Sequence, residues 1–434
     1  MKNEIIESYL KDVCSYIKNK DVHEEISNEI REHIYEIVDE YTNNGLRQDE
    51  AASKAIKRLG NAYECGIKLN KVHKVNPDII TIVLALALAV IGIITMYSTE
   101  KNSIASDTLS FNNIRGLLVG VAIAIVIYFF DYRKLKRYSY NLYWSLIIIL
   151  TMTFLFSDHL FSIKNGMISD SQVSFHLVVT TLLLIALSGV INIKSVNNKI
   201  DLITIVVMGI IPLILFFLVR DITVGFIYLC GINAIFLTAK IDKSLKISLI
   251  CVEALFMILA LLILISESYR IERIYSLINP TSDPEGYGYT ITRIRRLLSQ
   301  ATLYGNEINI EELRMGDVRS DFTLVYIIYN FGIVFGGFCI SIIIGFVARI
   351  FNIISKVKDS YGRTLVLSIG SMFLMQIIIN MLSNLGIVGV YISLPFICFG
   401  STNSIISLSM VGLICSIYRR RGLSDRVIVN DNQY

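Results

Sequence analysis

The chain has 434 residues, of which 54% are hydrophobic and only 18% charged, with a formal net charge of +4. A water-soluble fold of this length does not hide so large an apolar share, and so slight a basic excess gives nucleic acid no footing. Long apolar runs, each able to cross about 30 Å of hydrocarbon with about 20 helical residues, indicate an all-α polytopic membrane protein.

The first 75 residues are charged and lack the apolar core of a signal peptide, so the first membrane helix is expected to be an uncleaved anchor. Segments from Glu4 to Ile17 and from Val22 to Thr42 carry apolar residues at helical spacing. In the second these are Ile26, Ile30, Ile34, Ile37, Val38 and Tyr41. Asn43-Asn44-Gly45 ends that segment, because Asn and Gly tolerate the left-handed conformation of a helix terminus. A third segment puts Ala51, Ala55, Ile56 and Leu59 on one face, and a short fourth starts at Ala62. His33 reads as a polar helix-face residue rather than a ligand.

Ten apolar segments follow, at approximately 79–98, 114–130, 140–157, 175–193, 200–219, 222–239, 247–266, 322–348, 362–388 and 393–417. Lys and Arg crowd the connections at 131–137, 194–199, 240–246 and 349–363 and the tail at Arg419, Arg420 and Arg421. The alternating connections at 99–113, 158–174 and 389–392 have few. This asymmetry predicts both termini in the cytoplasm. Seven cysteines are scattered, with no CxxC and no Cys–His metal spacing, so no disulfide and no zinc site is expected.

The long connection 267–321 lies on the outer side of this threading, yet carries Arg270, Arg273, Arg293, Arg295, Arg296, Arg314 and Arg319. Guanidinium forks suit phosphate and carboxylate partners; a solvated or headgroup-contacting loop is the plainer alternative. The connection ends at Ser320-Asp321, directly before an apolar run. A carboxylate there is a catalytic base, an ion gate or a helix cap. Asp221, between two apolar segments, carries the same dual reading of cap or cavity residue. Gln376 and Asn380, spaced i, i+4, share one helix face and read as interhelical hydrogen-bonding groups or as cavity lining. Pro395 is expected to break a helix and leave polar backbone beside a cavity.

Several of these stretches resemble known families. EEISNEIREHIYEIVDEYTNNGLRQDEAASKAIKRLGNAYECG resembles the small HAAS, or permease-prefix, helical domain, which implies a cytoplasmic interaction module over residues 1–75. RIYSLINPTSDPEGYGYTITRIRR followed by DVRSDFTLVYIIYNFGIVFG resembles the large outer loop of the SEDS family, the FtsW/RodA/SpoVE group. Arg273, Asn279, Pro280, Asp283, Pro284, Gly286, Gly288 and Tyr289 fit the first part of its pattern, and Ser320, Asp321, Phe322, Gly332 and Gly336 the second. FDYRKLKRYSYNLYW is similar to the family's short inner loop, and Gln376, Asn380 and LPFICFGSTNS to its Q-x-x-x-N and L-P-F-I-S-Y-G-G-S-S motifs. The likeness covers about residues 79–420, leaving a short cytoplasmic tail from 421.

Departures are equally specific. The family's paired glutamates are Tyr329 and Asn330, its L-P-E-A-H-T is Met315 to Ser320, and its Gln after G-Y is Thr290. Its F-Q-P-S-E survives only as Gln172-Val173-Ser174-Phe175, and its P-D-L-G-T-A as Arg220 to Gly225. The resemblance implies a peptidoglycan glycosyltransferase that polymerises lipid II beside a class B penicillin-binding protein. Asp321 then falls on the family's essential aspartate, as general base. Arg273, Arg293, Arg295, Arg296, Arg319, Asp221, Gln376 and Asn380 are the candidate substrate-binding set. A divalent cation, Mg or Mn, is the expected cofactor, held by no recognisable motif. The departures keep two alternatives open: an inactive scaffold of a wall-synthesis complex, and a lipid-precursor flippase.

Overall fold

The computed structural model describes residues 2–72, 77–101, 109–160, 170–193, 199–238, isolated positions between 247 and 258, 268–283, 288–306, 321–390, 392–397 and 401–422. Among these residues regular structure is helical, without a strand. The chain divides into two compact units: residues 1–77 with 357–359 and 418–434, and residues 78–356 with 360–417.

The first unit contains α1 (Lys2–Ser15), α2 (His23–Asn43), α3 (Gln48–Leu59) and α4 (Ala62–Val72). Their apolar stripes meet as the spacing predicts. Ile6, Leu10 and Val13 pack with Ile26, Ile34 and Val38 and with the small Ala51 and Ala55. Gly66 lets α4 press against α1, since a Cβ there would lie 2.7 Å from the Val13 carbonyl oxygen. On the surface Arg31 pairs with Glu7 at 2.9 Å and holds the Glu7 carboxyl below the usual carboxylate range. Within the same unit Asp21 takes the guanidinium groups of Arg419 and Arg420 at 3.2 and 3.3 Å.

The second unit is the membrane body. Its helices are α5 (Ile79–Lys101), α6 (Leu109–Phe129), α7 (Arg133–Arg137), α8 (Ser139–Leu160), α9 (Asp170–Ile193), α10 (Lys199–Leu218) and α11 (Ile222–Thr238). After them come α12 (Ser268–Ile278), α13 (Tyr289–Gln300), α14 (Thr323–Phe331), α15 (Ile333–Ile354), α16 (Ser360–Asn384) and α17 (Ser401–Arg419). Among the described residues six helices are long and apolar enough to cross a membrane, and three shorter apolar helices, in α6, α10 and α11, accompany them. The core joins α8, α9, α10, α11 and α16 through Tyr143, Leu150, Leu183, Leu184, Phe216, Ile235 and Met372. Inside α10, Pro212 has no N–H for the Met208 carbonyl one turn back. The Tyr143 hydroxyl donates to that carbonyl instead, at 2.7 Å. The expected span 247–266 lies largely outside the described residues.

Two expected spans are built differently. The apolar run 322–348 is not one helix: it breaks at Gly332 into α14 and α15. In the run 393–417, residues 392–397 are non-helical around Pro395, and α17 covers Ser401–Arg419. Both breaks place irregular backbone inside a membrane protein, where each carbonyl and amide needs a partner from the protein itself.

Candidate functional site

Asp321 stands one residue before Phe322, the N-cap of α14, and is buried with 5% of its surface exposed. α14 is short because the backbone turns at Gly332, whose φ is 96°. The chain at 302–306 runs alongside that turn. Ile333 N–H donates to the Thr302 carbonyl at 3.0 Å, Val334 N–H to that of Leu303 at 3.3 Å, and Asn306 N–H to that of Tyr329 at 3.0 Å. A Cβ on Gly332 would come within 2.3 Å of the Leu303 oxygen, so this close approach requires glycine.

The irregular backbone is stitched to one face of α16, where Gln376, Asn380, Ser383 and Asn384 fall in line. Gln376 Nε2 donates to the Ser393 carbonyl at 2.9 Å, and the Ser383 hydroxyl donates to the Val390 carbonyl. Asn380 Nδ2 bridges two strays, the Ile392 carbonyl at 2.6 Å and the Asp321 carbonyl at 2.9 Å. Asn384 Nδ2 also donates to the Asp321 carbonyl, at 2.9 Å, while its Oδ1 accepts from Val325 N–H at 3.0 Å. Gln376 and Asn380 therefore act on backbone carbonyls of non-helical residues rather than on another helix. Asn384 was not singled out from sequence, although it continues the same four-residue spacing.

Above this face lies α13. Ile291, Ile294 and Leu297 are buried in it, and Ile294 and Leu297 pack on Phe322, Val325, Tyr326 and Tyr329. That leaves Arg295 and Arg296 exposed and Arg293 half-buried, with its guanidinium 5.8 Å from the Tyr289 ring centre. Arg295 Nη2 donates to the Gly386 carbonyl at 3.3 Å, two residues beyond the asparagine that holds Asp321. The fold thus brings α13, through Arg295, to the neighbourhood of the asparagine that holds Asp321. Arg273 falls in α12, which fixes its backbone alone, and Arg319 lies outside the described residues. Where the resembled family carries glutamates, Tyr329 is buried among aromatic rings. Asn330 Nδ2 donates to Ser98 Oγ at 2.8 Å, beside the Tyr326 hydroxyl at 2.9 Å from the same atom.

Asp221 belongs to a second polar site. Its Oδ1 accepts from Val224 N–H at 3.2 Å, capping α11, and its Oδ2 lies 2.7 Å from His176 Nδ1. Both side chains are buried, with Gln172 and Thr180 fully buried one turn to either side of His176. Reading the sequence motif by motif passed over His176; a lone ionisable residue in an apolar span was the available signal. Among the described residues no three His, Cys, Asp or Glu side chains converge to hold a metal ion.

The family model FTSW_RODA_SPOVE, described as "Cell cycle protein", matches residues 77–422. The "Probable peptidoglycan glycosyltransferase FtsW" of Trichlorobacter lovleyi is 24% identical over 78% of this chain and 92% of its own length. "Stage V sporulation protein E" of Bacillus subtilis is 26% identical over 40% of this chain and 47% of its own length. Two solved structures share the fold. One chain, from "Structural coordination of polymerization and crosslinking by a peptidoglycan synthase complex", has a TM-score of 0.62 at 18% identity, covering 80% of this chain and 98% of that one. The rod shape determining protein RodA of Thermus thermophilus has a TM-score of 0.55 at 16% identity, covering 81% and 99%.

Proposed function

The chain belongs to the FtsW/RodA/SpoVE family of cell cycle proteins, and from that premise we propose that it is a peptidoglycan glycosyltransferase polymerising lipid II at the outer membrane face. The carrying observation is Asp321, buried at the mouth of a broken helix and fixed through its carbonyl by two asparagines, with an arginine-bearing helix alongside. In this reading the Asp321 carboxylate takes the proton of the acceptor sugar hydroxyl as that oxygen bonds to the anomeric carbon. The bond from that carbon to the lipid pyrophosphate breaks, and the pyrophosphate leaves with the electron pair. Arg293, Arg295 and Arg296 on α13 offer guanidinium groups to the departing charge, with Arg273 and Arg319 as further candidates. The described residues do not fit a protein-held metal, and no step runs through one. A divalent cation, where one is used, arrives on the pyrophosphate oxygens.

In the same proposal both termini are cytoplasmic, the partner is a cross-linking penicillin-binding protein, and the first unit engages a cytoplasmic partner. One observation favours a second reading, a non-catalytic scaffold: Tyr329 and Asn330 put neutral groups where the family carries acids. Purified full-length protein, alone and with a class B penicillin-binding protein, is given lipid II and a divalent cation. The glycosyltransferase reading expects glycan polymer from wild type and a loss of about 10²–10⁴-fold in Asp321→Ala. Equal polymer from both removes the base assignment, and no polymer from wild type under any condition selects the scaffold.

A further inference from the structure

The first turn of α14 has an unusual closure. Val325 is the third residue of α14, so its N–H has no carbonyl partner within the helix and is the amide an N-cap side chain ordinarily takes. Here the Asn384 side chain takes that place, between this amide and the Asp321 carbonyl. Its Oδ1 takes the Val325 N–H at 3.0 Å and its Nδ2 gives to the Asp321 carbonyl at 2.9 Å. The helical ladder begins with Tyr326 N–H on the Phe322 carbonyl, at 3.1 Å. A side-chain amide from α16 thus caps α14 and ties its first turn to the Asp321 carbonyl. Asn384 has 2% of its surface exposed and is itself steadied by Asn380, whose carbonyl and Oδ1 lie 2.8 and 3.0 Å from its Nδ2. Two asparagines on one oxygen use both lone pairs of the Asp321 carbonyl.

We propose that Asn384 is a positioning residue for sugar transfer: by keeping the Asp321 carbonyl apart from the Val325 amide, it holds Asp321 off the end of α14, where its carboxylate reaches the acceptor hydroxyl. The proposal rests on Asp321 being the general base. Without that side-chain amide, Val325 N–H and the Asp321 carbonyl can bond directly. α14 then lengthens by one hydrogen bond and draws Asp321 into its first turn. The Val325 amide finds a new partner in that change and only Asn380 Oδ1 loses its donor, so the fold survives at a lower stability while the base moves.

Two variants test this against a purely structural tie. Asn384→Leu keeps the branched shape, at a larger volume, but removes donor and acceptor. Asn384→Asp keeps an acceptor for the Val325 amide and loses the donor to Asp321. Polymerisation is followed with lipid II as variable substrate, beside melting in detergent. The expectation for Asn384→Leu is a folded protein with a modestly lowered melting temperature, an unchanged KM and a kcat lowered roughly 10²-fold by displacement of the base. An unchanged kcat, or a raised KM alone, overturns the proposal. If Asn384→Leu does not fold, Asn384→Asp is decisive: a lowered kcat that persists as pH is raised supports positioning. A wild-type kcat overturns it, as does full recovery at high pH, because then the added charge has only raised the Asp321 pKa. An inactive wild type instead defeats the polymerase reading itself, and the two failures are told apart by that control.

Discussion

Two turns in the membrane body carry the same local signature, a buried aspartate directly ahead of an apolar helix, and use it in opposite ways. At Asp221 the carboxylate does the local work: one oxygen caps α11 through Val224 N–H and the other meets His176. At Asp321 the Val325 amide, the one an N-cap side chain ordinarily takes, is held by Asn384 from another helix. The first aspartate is spent on structure. At the second, α16 takes over the Val325 amide.

The contrast is sharpest when the same substitution is made at both. Asp321→Asn keeps size and polarity but cannot accept a proton, so polymerisation is expected to fall by about 10²–10⁴-fold with the melting temperature held. Asp221→Asn keeps an oxygen for Val224 N–H and alters only the partner of His176, so its effect is expected on melting first and on rate through it. A large stability loss from the Asp321 change, or none from the Asp221 change, breaks the comparison.

Removing the second carboxylate altogether is the next effect in size. Asp221→Ala strips the cap from α11 and leaves His176 facing Phe175 and Phe216 without its acid. Leaving a buried hydrogen-bond partner unsatisfied costs about 1–3 kcal/mol, and the lost cap about 1 kcal/mol more. Detergent melting reads this directly, and a shift no larger than that of an exposed-site substitution counts against Asp221 as a structural joint.

Much of the scaffold was legible from sequence because apolar runs and charged connections carry it. The helices of the first unit and most membrane helices fall near their expected segments. The two breaks in expected spans were not equally legible. Pro395 announces its own, whereas the run through Gly332 stays apolar on both sides. Its break is imposed by the Leu303 carbonyl, almost thirty positions away in sequence. The site shows the same division. Asp321, Gln376 and Asn380 came from motif positions, but Asn384 acts through a contact spanning 59 residues and His176 through one spanning 45. A spacing pattern shows which residues share a face; it does not show which backbone group a face will meet.

The smallest expected effect tests how the Asp221 turn is made. α10 ends with Arg220 N–H on the Phe217 carbonyl and Asp221 N–H on that of Phe216, each at 3.0 Å. This closure puts Arg220 in the left-handed region, at φ 68°, where a side chain is disfavoured and glycine is at ease. The Arg220 side chain is exposed, so its removal leaves the core intact. Arg220→Gly therefore relieves strain of about 1 kcal/mol, less the extra entropy glycine gives the unfolded chain. The expected outcome is a small rise in melting temperature with the Asp221–His176 pair undisturbed. A fall would mean that the arginine contributes something its backbone strain does not reveal. No residue at the Asp321 turn has a positive φ until Gly332, so the same logic predicts no gain from glycine at Phe322. One turn is held by local strain and a self-supplied cap, the other by a neighbouring helix, and glycine separates them.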